Sequence, residues 1–301
     1  MHAWEAIQTT LEIIESRIDE EIPIEELADI AGLSLFYYQR LFKRLVKKPV
    51  REYVKLRRLA RACETLKNTN SRIIDIAYMY GFSSYEVFAR AFKIAYNLTP
   101  TEYRCGDIGL RNFDKPNLLL NYTMIEMSVP LISEGLVLEI NRRTLDKPVS
   151  FVGVQGLVSI DGHFPNGEVT GVCGFGEVWQ RFYKEECYIP SKVNGRKIGV
   201  AFRGDAPEGY LSYFVGVEAD MAINKYRIWT LPATEYLIVG FEAENHDELM
   251  STALNKALKY SHMWVERKGL KPGTFGAEIY YNDAVTEPDV AYMEMWSQWL
   301  E

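Results

Sequence analysis

The chain has 301 residues, is 48% hydrophobic and carries a net charge of −7. That is enough apolar material for two or three packed domains. No run approaches the ~18 to 20 apolar residues of a membrane span, and the acidic start "MHAWEAIQTTLEIIESRIDEE" is unlike a signal peptide, so no membrane association and a cytoplasmic location are expected. Cys63, Cys105, Cys173 and Cys187 form no CxxC, and His2, His163, His246 and His262 are scattered, so reduced thiols, no metal site and no cofactor are expected.

The charge is uneven. Residues 1–105 hold 16 Lys/Arg against 14 Asp/Glu, whereas 106–301 hold 18 against 27. Ser34 to Arg72 alone contains 12 Lys/Arg and only Glu52 and Glu64. Such a block is a footprint for phosphate, or else a solvated helix face.

A repeat favours the first reading. "IPIEELADIAGLS" (22–34) aligns with "SRIIDIAYMYGFS" (71–83), so that Ile24, Leu27, Ala28 and Gly32 fall on Ile73, Ile76, Ala77 and Gly81; beyond the turn, Arg40, Phe42 and Lys43 fall on Arg90, Phe92 and Lys93. In each copy an apolar stripe at helical spacing predicts a first helix, a Gly ends it, and Ser34 or Ser83/Ser84 can cap the next. The second helix is expected to bury Leu41, Leu45 and Phe42 in one copy, Phe88 and Phe92 in the other. Each copy therefore reads as a helix-turn-helix. "VREYVKLRRLARACETLKNT" (50–69) reads as a long connecting helix whose Lys55, Arg57, Arg58 and Arg61 could lie along a duplex backbone.

Residues about 5–104 resemble the DNA-binding domain of AraC/XylS-family transcription regulators. The resemblance rests on "IEELADIAGLSLFYYQRLFKR", "EYVKLRRLARACETL", "IIDIAYMYGFSSYEVFARAFK" and "LTPTEYR". Two positions where that family usually has Gly hold Lys47 and Asn97. In a helix-turn-helix the N-terminal part of the second helix enters the major groove. This predicts Phe36, Tyr37, Gln39 and Arg40 as base readers in the first copy and Ser84, Tyr85, Glu86 and Arg90 in the second, with Lys43, Arg44 and Lys93 on phosphate. Double-stranded DNA is the expected partner, with RNA polymerase a further candidate.

Residues 106–134, interrupted by Pro, Gly and Asn, read as a linker between a domain at 1–105 and one at 135–301. From Leu136 the pattern turns to strands, broken by amphipathic helices at "FGEVWQRFYKEE" and "HDELMSTALNKALKYSHMWVERKG". A strand–helix–strand–strand order given twice predicts a duplicated α+β domain behind an all-α one. This half is similar to GyrI-like small-molecule-binding domains, through "VWQRFY", "YFVGVEA", "LPATEYLIVGFEA", "ALKYSHMWVERKG", "AEIYYND" and "YMEMW". The whole resembles the layout of Rob-type regulators, which implies a ligand cleft with an aromatic wall and a Glu on the last strand, here Glu294. Tyr292, Glu294 and Trp296 share one strand face by alternation. Trp179, Tyr183, Tyr213, Trp229 and Tyr280 are the candidate wall, and a lipophilic cation the expected effector. A hydrolase using Glu294 with Tyr213 or Tyr280, and a DNA-binding protein with a protein-interaction surface, are the alternatives. No dimerisation helix stands out, so monomer and dimer both remain open.

Overall fold

The computed structural model describes residues 3–160, 170–189, 195–219, 225–245, 248–281 and 291–300. His2, His163, His246, Asn282 and Asp283 lie outside the described residues. The chain divides into two compact units, Met1–Tyr122 with Gly167–Cys173, and Thr123–Asn166 with Gly174–Glu301.

The first unit is helical: α1 (Ala3–Ser16), α2 (Ile24–Ile30), α3 (Leu35–Val46), α4 (Val50–Asn68), α5 (Ile73–Met79), α6 (Tyr85–Tyr96), α7 (Pro100–Cys105) and α8 (Leu118–Tyr122). A short antiparallel pair joins β1 (Leu110–Arg111) to β5 (Gly171–Val172). The unit has two separate cores. Ile7, Leu11 and Ile14 of α1, Leu27 and Ala28 of α2, Tyr38, Phe42 and Val46 of α3 and the first half of α4 make one. Leu59, Ala62, Cys63 and Leu66 of α4 make the other with Ile76, Ala77, Phe88, Phe92 and Tyr96 of α5 and α6. So α4 serves one core with each half. Leu41 and Leu45 are only partly buried; Tyr38 and Val46 take the deeper positions.

The two helix pairs close alike. Leu33 N–H donates to Ala28 O at 3.0 Å and Phe82 N–H to Ala77 O at 2.9 Å, the six-residue bond of a Schellman end, around Gly32 (φ 65) and Gly81 (φ 70). Ser34 and Ser84 then cap α3 and α6, accepting from Tyr37 N–H and Val87 N–H. Lys47 and Asn97 end these helices at φ 65 and φ 60. Asn tolerates that left-handed region; Lys there costs about 1–2 kcal/mol.

The second unit is built on a nine-stranded antiparallel sheet. Its strands are β2 (Leu131–Ser133), β3 (Leu136–Thr144), β4 (Val149–Ser159), β6 (Lys197–Phe202), β7 (Tyr210–Glu218), β8 (Arg227–Leu231), β9 (Glu235–Ala243), β10 (Lys271–Tyr280) and β11 (Ala291–Leu300). They lie in the order β2-β3-β9-β11-β10-β6-β7-β4-β8. Helix α9 (Gly174–Glu185) follows β4, and a π-helical turn (Leu249–Ala253) leads into α10 (Leu254–Arg267) after β9. The order β4–α9–β6–β7 thus recurs as β9–α10–β10–β11.

Chain length forces the sheet to curl. Strands β8 and β9 stand six places apart, about 29 Å in a flat sheet, yet residues 232–234 joining them reach at most about 15 Å. Residues 145–148 impose the same on β3 and β4, and Leu145 N–H donates to Thr234 O at 2.9 Å. Phe151, Leu231, Tyr236, Ile238, Ile279 and Trp296 fill the inner face in one cluster. On the other face Val178 and Phe182 of α9 pack on Val152, Tyr213 and Val215.

The stretch 106–134, expected as a linker, is structured and shared. Phe113 and Leu118 enter the first helical core. Ile125 N–H donates to Tyr260 Oη and Ile125 O accepts from Trp264 Nε1, both at 3.0 Å, which ties the following residues to α10.

Candidate functional site

Two regions carry chemistry. The first is the exposed face of α3 and α6. Phe36 is 68% exposed and Tyr37 61%, side by side in edge contact, and Gln39, Arg40, Lys43 and Arg44 are exposed on the same helix. Among the described residues no side chain of Gln39, Arg40, Lys43 or Arg44 has a hydrogen bond or ion pair. On α6, Glu86, Arg90 and Lys93 are exposed and Tyr85 is half-buried. Ser84 is the cap expected for this helix, its hydroxyl accepting from Val87 N–H, and its proximity holds the Glu86 carboxyl below its ordinary value. A cleft of about 400 Å³ between α4 and α6 is lined by Leu56, Leu59 and Ile94 together with Lys48, Lys55 and Arg90.

The basic face expected on α4 is divided: Lys55 is exposed, whereas Arg57, Arg58 and Arg61 are engaged by other groups of the unit. Arg57, 11% exposed, grips Glu15 with Nε and Nη2, both at 2.8 Å, and donates Nη1 to Phe113 O. Tyr53 Oη adds a third bond to Glu15. Burial alone raises the Glu15 carboxyl, but these donors outweigh it and hold it below its ordinary value. Arg58 donates to three backbone carbonyls, and Arg61 pairs with Glu64 and Glu15. Charge counting cannot separate such buried ties from free cations.

The second region lies in the sheet unit, where the eight residues expected to line one cleft fall in three places. Glu294 is 2% exposed and saturated: Arg143 of β3 holds it bidentately at 2.7 and 2.8 Å, and Tyr281, Tyr292 and Trp296 donate to it at 2.5, 2.7 and 2.8 Å. Burial works against the charge, but these donors win and the carboxyl sits below its ordinary value. Its charge is already neutralised, so Glu294 is not an anchor for an added cation. Trp229 packs with Phe202 and Phe275, ring centroids at 4.5 and 5.4 Å, against the inner core.

Trp179, Tyr183, Tyr213 and Tyr280 do converge, around a glutamate that the sequence reading passed over. Glu278 Oε2 accepts from Tyr280 Oη at 2.8 Å and Tyr213 Oη at 2.9 Å, and Trp179 Nε1 donates to Tyr213 Oη at 3.0 Å. The Trp179 and Tyr280 rings meet edge-on at 4.8 Å, Phe175 meets Tyr213 at 4.8 Å, and Tyr183 lies 5.6 Å from Trp179. Ala277 and Ile279 belong to the inner core, so Glu278 and Tyr280 point to the α9 face, away from Glu294. Among the described residues no cation pairs with Glu278. Burial raises its carboxyl above the ordinary value despite the two phenols. The missed signal was the same alternation used for Glu294: Glu278 and Tyr280 in "AEIYY" share a face.

Both glutamates face a glycine in register, Glu278 opposite Gly199 and Glu294 opposite Gly240. A Cβ on Gly199 would stand 2.2 Å from Tyr213 Oη, and one on Gly240 would stand 2.7 Å from Tyr292 Oη. Each glycine makes room for a phenol that bonds its glutamate.

A family described as a helix-turn-helix domain matches residues 27–105, from α2 through α7. The uncharacterized HTH-type transcriptional regulator YbfP of Bacillus subtilis is 41% identical over 104 residues, 35% of either chain. Regulatory protein SoxS of Salmonella typhimurium is 36% identical over 104 residues, which are 35% of this chain and 97% of SoxS. Transcriptional regulator Rob of the same organism is 35% identical over 91 residues, 30% of this chain and 32% of Rob. The matched part thus spans about a third of YbfP and of Rob but nearly all of SoxS. With that coverage, and with paired helices ending on Gly32 and Gly81 and capped by Ser34 and Ser84, the chain belongs to the AraC family of helix-turn-helix transcription regulators.

Proposed function

We propose that the chain is a sequence-specific DNA-binding transcription regulator that uses both helix pairs as helix-turn-helix motifs and responds to a small lipophilic cation held by its sheet unit. One observation carries the DNA reading: of the basic residues in Ser34 to Arg72, Arg57 and Arg58 are tied internally, whereas Arg40, Lys43 and Arg44 stand exposed and unpaired beside Gln39 on α3. Gln39 and Arg40 suit bidentate base contacts, Lys43 and Arg44 phosphate. The test is enrichment of duplexes from a random pool by the full chain. Gln39→Ala and Arg40→Ala should each cost about 1–3 kcal/mol and relax preference at one base pair. Lys43→Ala and Arg44→Ala should weaken all sequences alike and lower the salt slope by about one unit each. No enrichment by the wild type, or full specificity in both α3 base-reader variants, contradicts the reading.

The effector reading moves from Glu294 to Glu278. A carboxylate with no internal countercharge, walled by Trp179, Tyr183 and Tyr280, suits a cation that brings its own aromatic or aliphatic body. This is also the reading under which the unit is a GyrI-like ligand-binding domain. Calorimetric titration with an aromatic cation and its neutral isostere, with and without an enriched duplex, tests it. Selective cation binding whose affinity shifts on adding DNA supports an effector, because coupling between the two sites must be reciprocal. A second reading, hydrolysis of small electrophiles, is favoured by the same carboxyl between Tyr213 and Tyr280, which offers an acid and two phenols at one point. Turnover of a reactive electrophile by the wild type, lost in Glu278→Gln, would select it.

A further inference from the structure

The two helical cores share no buried residue: the first takes Leu56 as its last contact on α4, and the second begins at Leu59. Each helix pair is therefore packed on its own half of one rod. Apolar packing alone links the pairs only through α4 and through the segment 108–118, whose Ile108 and Leu110 pack on the second core and Phe113 and Leu118 on the first. Arg58 sits at the junction and reaches both sides. Its Nε donates to Ile18 O at 2.8 Å and Nη2 to Glu20 O at 2.6 Å, in the segment that enters α2. Its Nη1 donates to Gly81 O at 3.4 Å, in the turn that launches α6. A Cβ on Gly81 would lie 2.6 Å from Nη1, so the turn is also shaped around this guanidinium. Three carbonyls spread around one planar fork suit an Arg and not a Lys, which offers a single nitrogen.

We propose that Arg58 is a positioning residue that fixes the placement of α6 relative to α3, and thereby the spacing of the two DNA half-sites the chain accepts. This rests on both helix pairs reading DNA. One inserted base pair moves the second half-site by about 3.4 Å and about 35°, more than a clamped pair of helices can follow.

The test uses the full chain and the duplex it enriches from a random pool, together with duplexes carrying one base pair more or fewer between the half-sites and one half-site alone. Wild type should lose at least about tenfold in affinity on either spacing change, the scale of one lost bidentate base contact. Arg58→Ala should lose less than about threefold on the same change while binding the single half-site as wild type does; that contrast is one a general loss of stability would not produce. Arg58→Lys, which keeps the charge and is the fallback should Arg58→Ala not fold, should show the same flattened spacing profile. A spacing penalty in either folded variant equal to that of wild type overturns the proposal. Enrichment by wild type of a single half-site only overturns it while leaving DNA binding in place, and enrichment of nothing overturns the DNA reading along with it.

Discussion

Glu278 and Glu294 stand on neighbouring strands, β10 and β11, each opposite a glycine and each bonded by two tyrosines. They differ in two partners. Arg143 reaches Glu294 from β3, and Trp296 adds a further donor; nothing cationic among the described residues reaches Glu278. The consequence is opposite in sign. Donors keep Glu294 ionised below the ordinary carboxyl value, and burial lifts Glu278 above it. A glutamate flanked by aromatics thus sits above or below the ordinary carboxyl value depending on whether the fold supplies the countercharge itself.

The comparison can be broken from the structural side first. Glu294→Ala should destabilise the sheet unit by about 3 kcal/mol, the lower end for opening a buried pair because Arg143 is half exposed and can rehydrate. Urea unfolding followed by tryptophan fluorescence reads this, and a cost near zero would mean the network is slack. Gly199→Ala should come next, at about 1–3 kcal/mol, because the new methyl must displace the Tyr213 phenol from Glu278. The same variant should weaken cation binding, which a mere packing defect elsewhere would leave intact. Glu278→Gln should leave stability within about 1 kcal/mol of wild type but cut cation affinity by more than tenfold, about 1.4 kcal/mol, with the neutral isostere unaffected.

The smallest effect is the sharpest in sign. A raised carboxyl takes up a proton in the folded state first, so the stability difference between wild type and Glu278→Gln should increase in favour of wild type as pH falls from the raised value toward about 4.3, the unfolded Glu value. Cation affinity should weaken over that same window. The lowered Glu294 stabilises above about 4.3, and its contribution should fade as pH drops through its depressed value. Equal slopes for Glu278→Gln and Glu294→Gln would erase the distinction.

What the sequence discloses follows the range of the interaction. Gly32 and Gly81, Ser34 and Ser84, and the stripes at Leu27–Ala28 and Ile76–Ala77 are local features, fixed by turn and cap chemistry within a few residues. They are legible, and so are the exposed Phe36, Tyr37, Gln39, Arg40, Lys43 and Arg44. Lys55, Arg57, Arg58 and Arg61 look alike in the sequence. Which of them is internal depends on Glu15, 42 residues before Arg57, and on the carbonyls of Ile18, Glu20 and Gly81. In the sheet unit, alternation marks Glu278 and Glu294 equally. Arg143, 151 residues before Glu294, decides between them, and no periodicity announces that pairing.

The place of β11 in the sheet has a consequence for the order in which the protein comes into being. Strands β2, β3 and β9 form one group, and β10, β6, β7, β4 and β8 another; the hydrogen-bonded seam between them is β11 alone, residues 291–300. Both helical cores are complete once Leu118 has been made. At about 5–20 residues per second, synthesis leaves roughly ten to forty seconds in which the helix pairs can already be folded while the sheet has no seam. A nascent chain would therefore hold both helix pairs folded before its sheet can close.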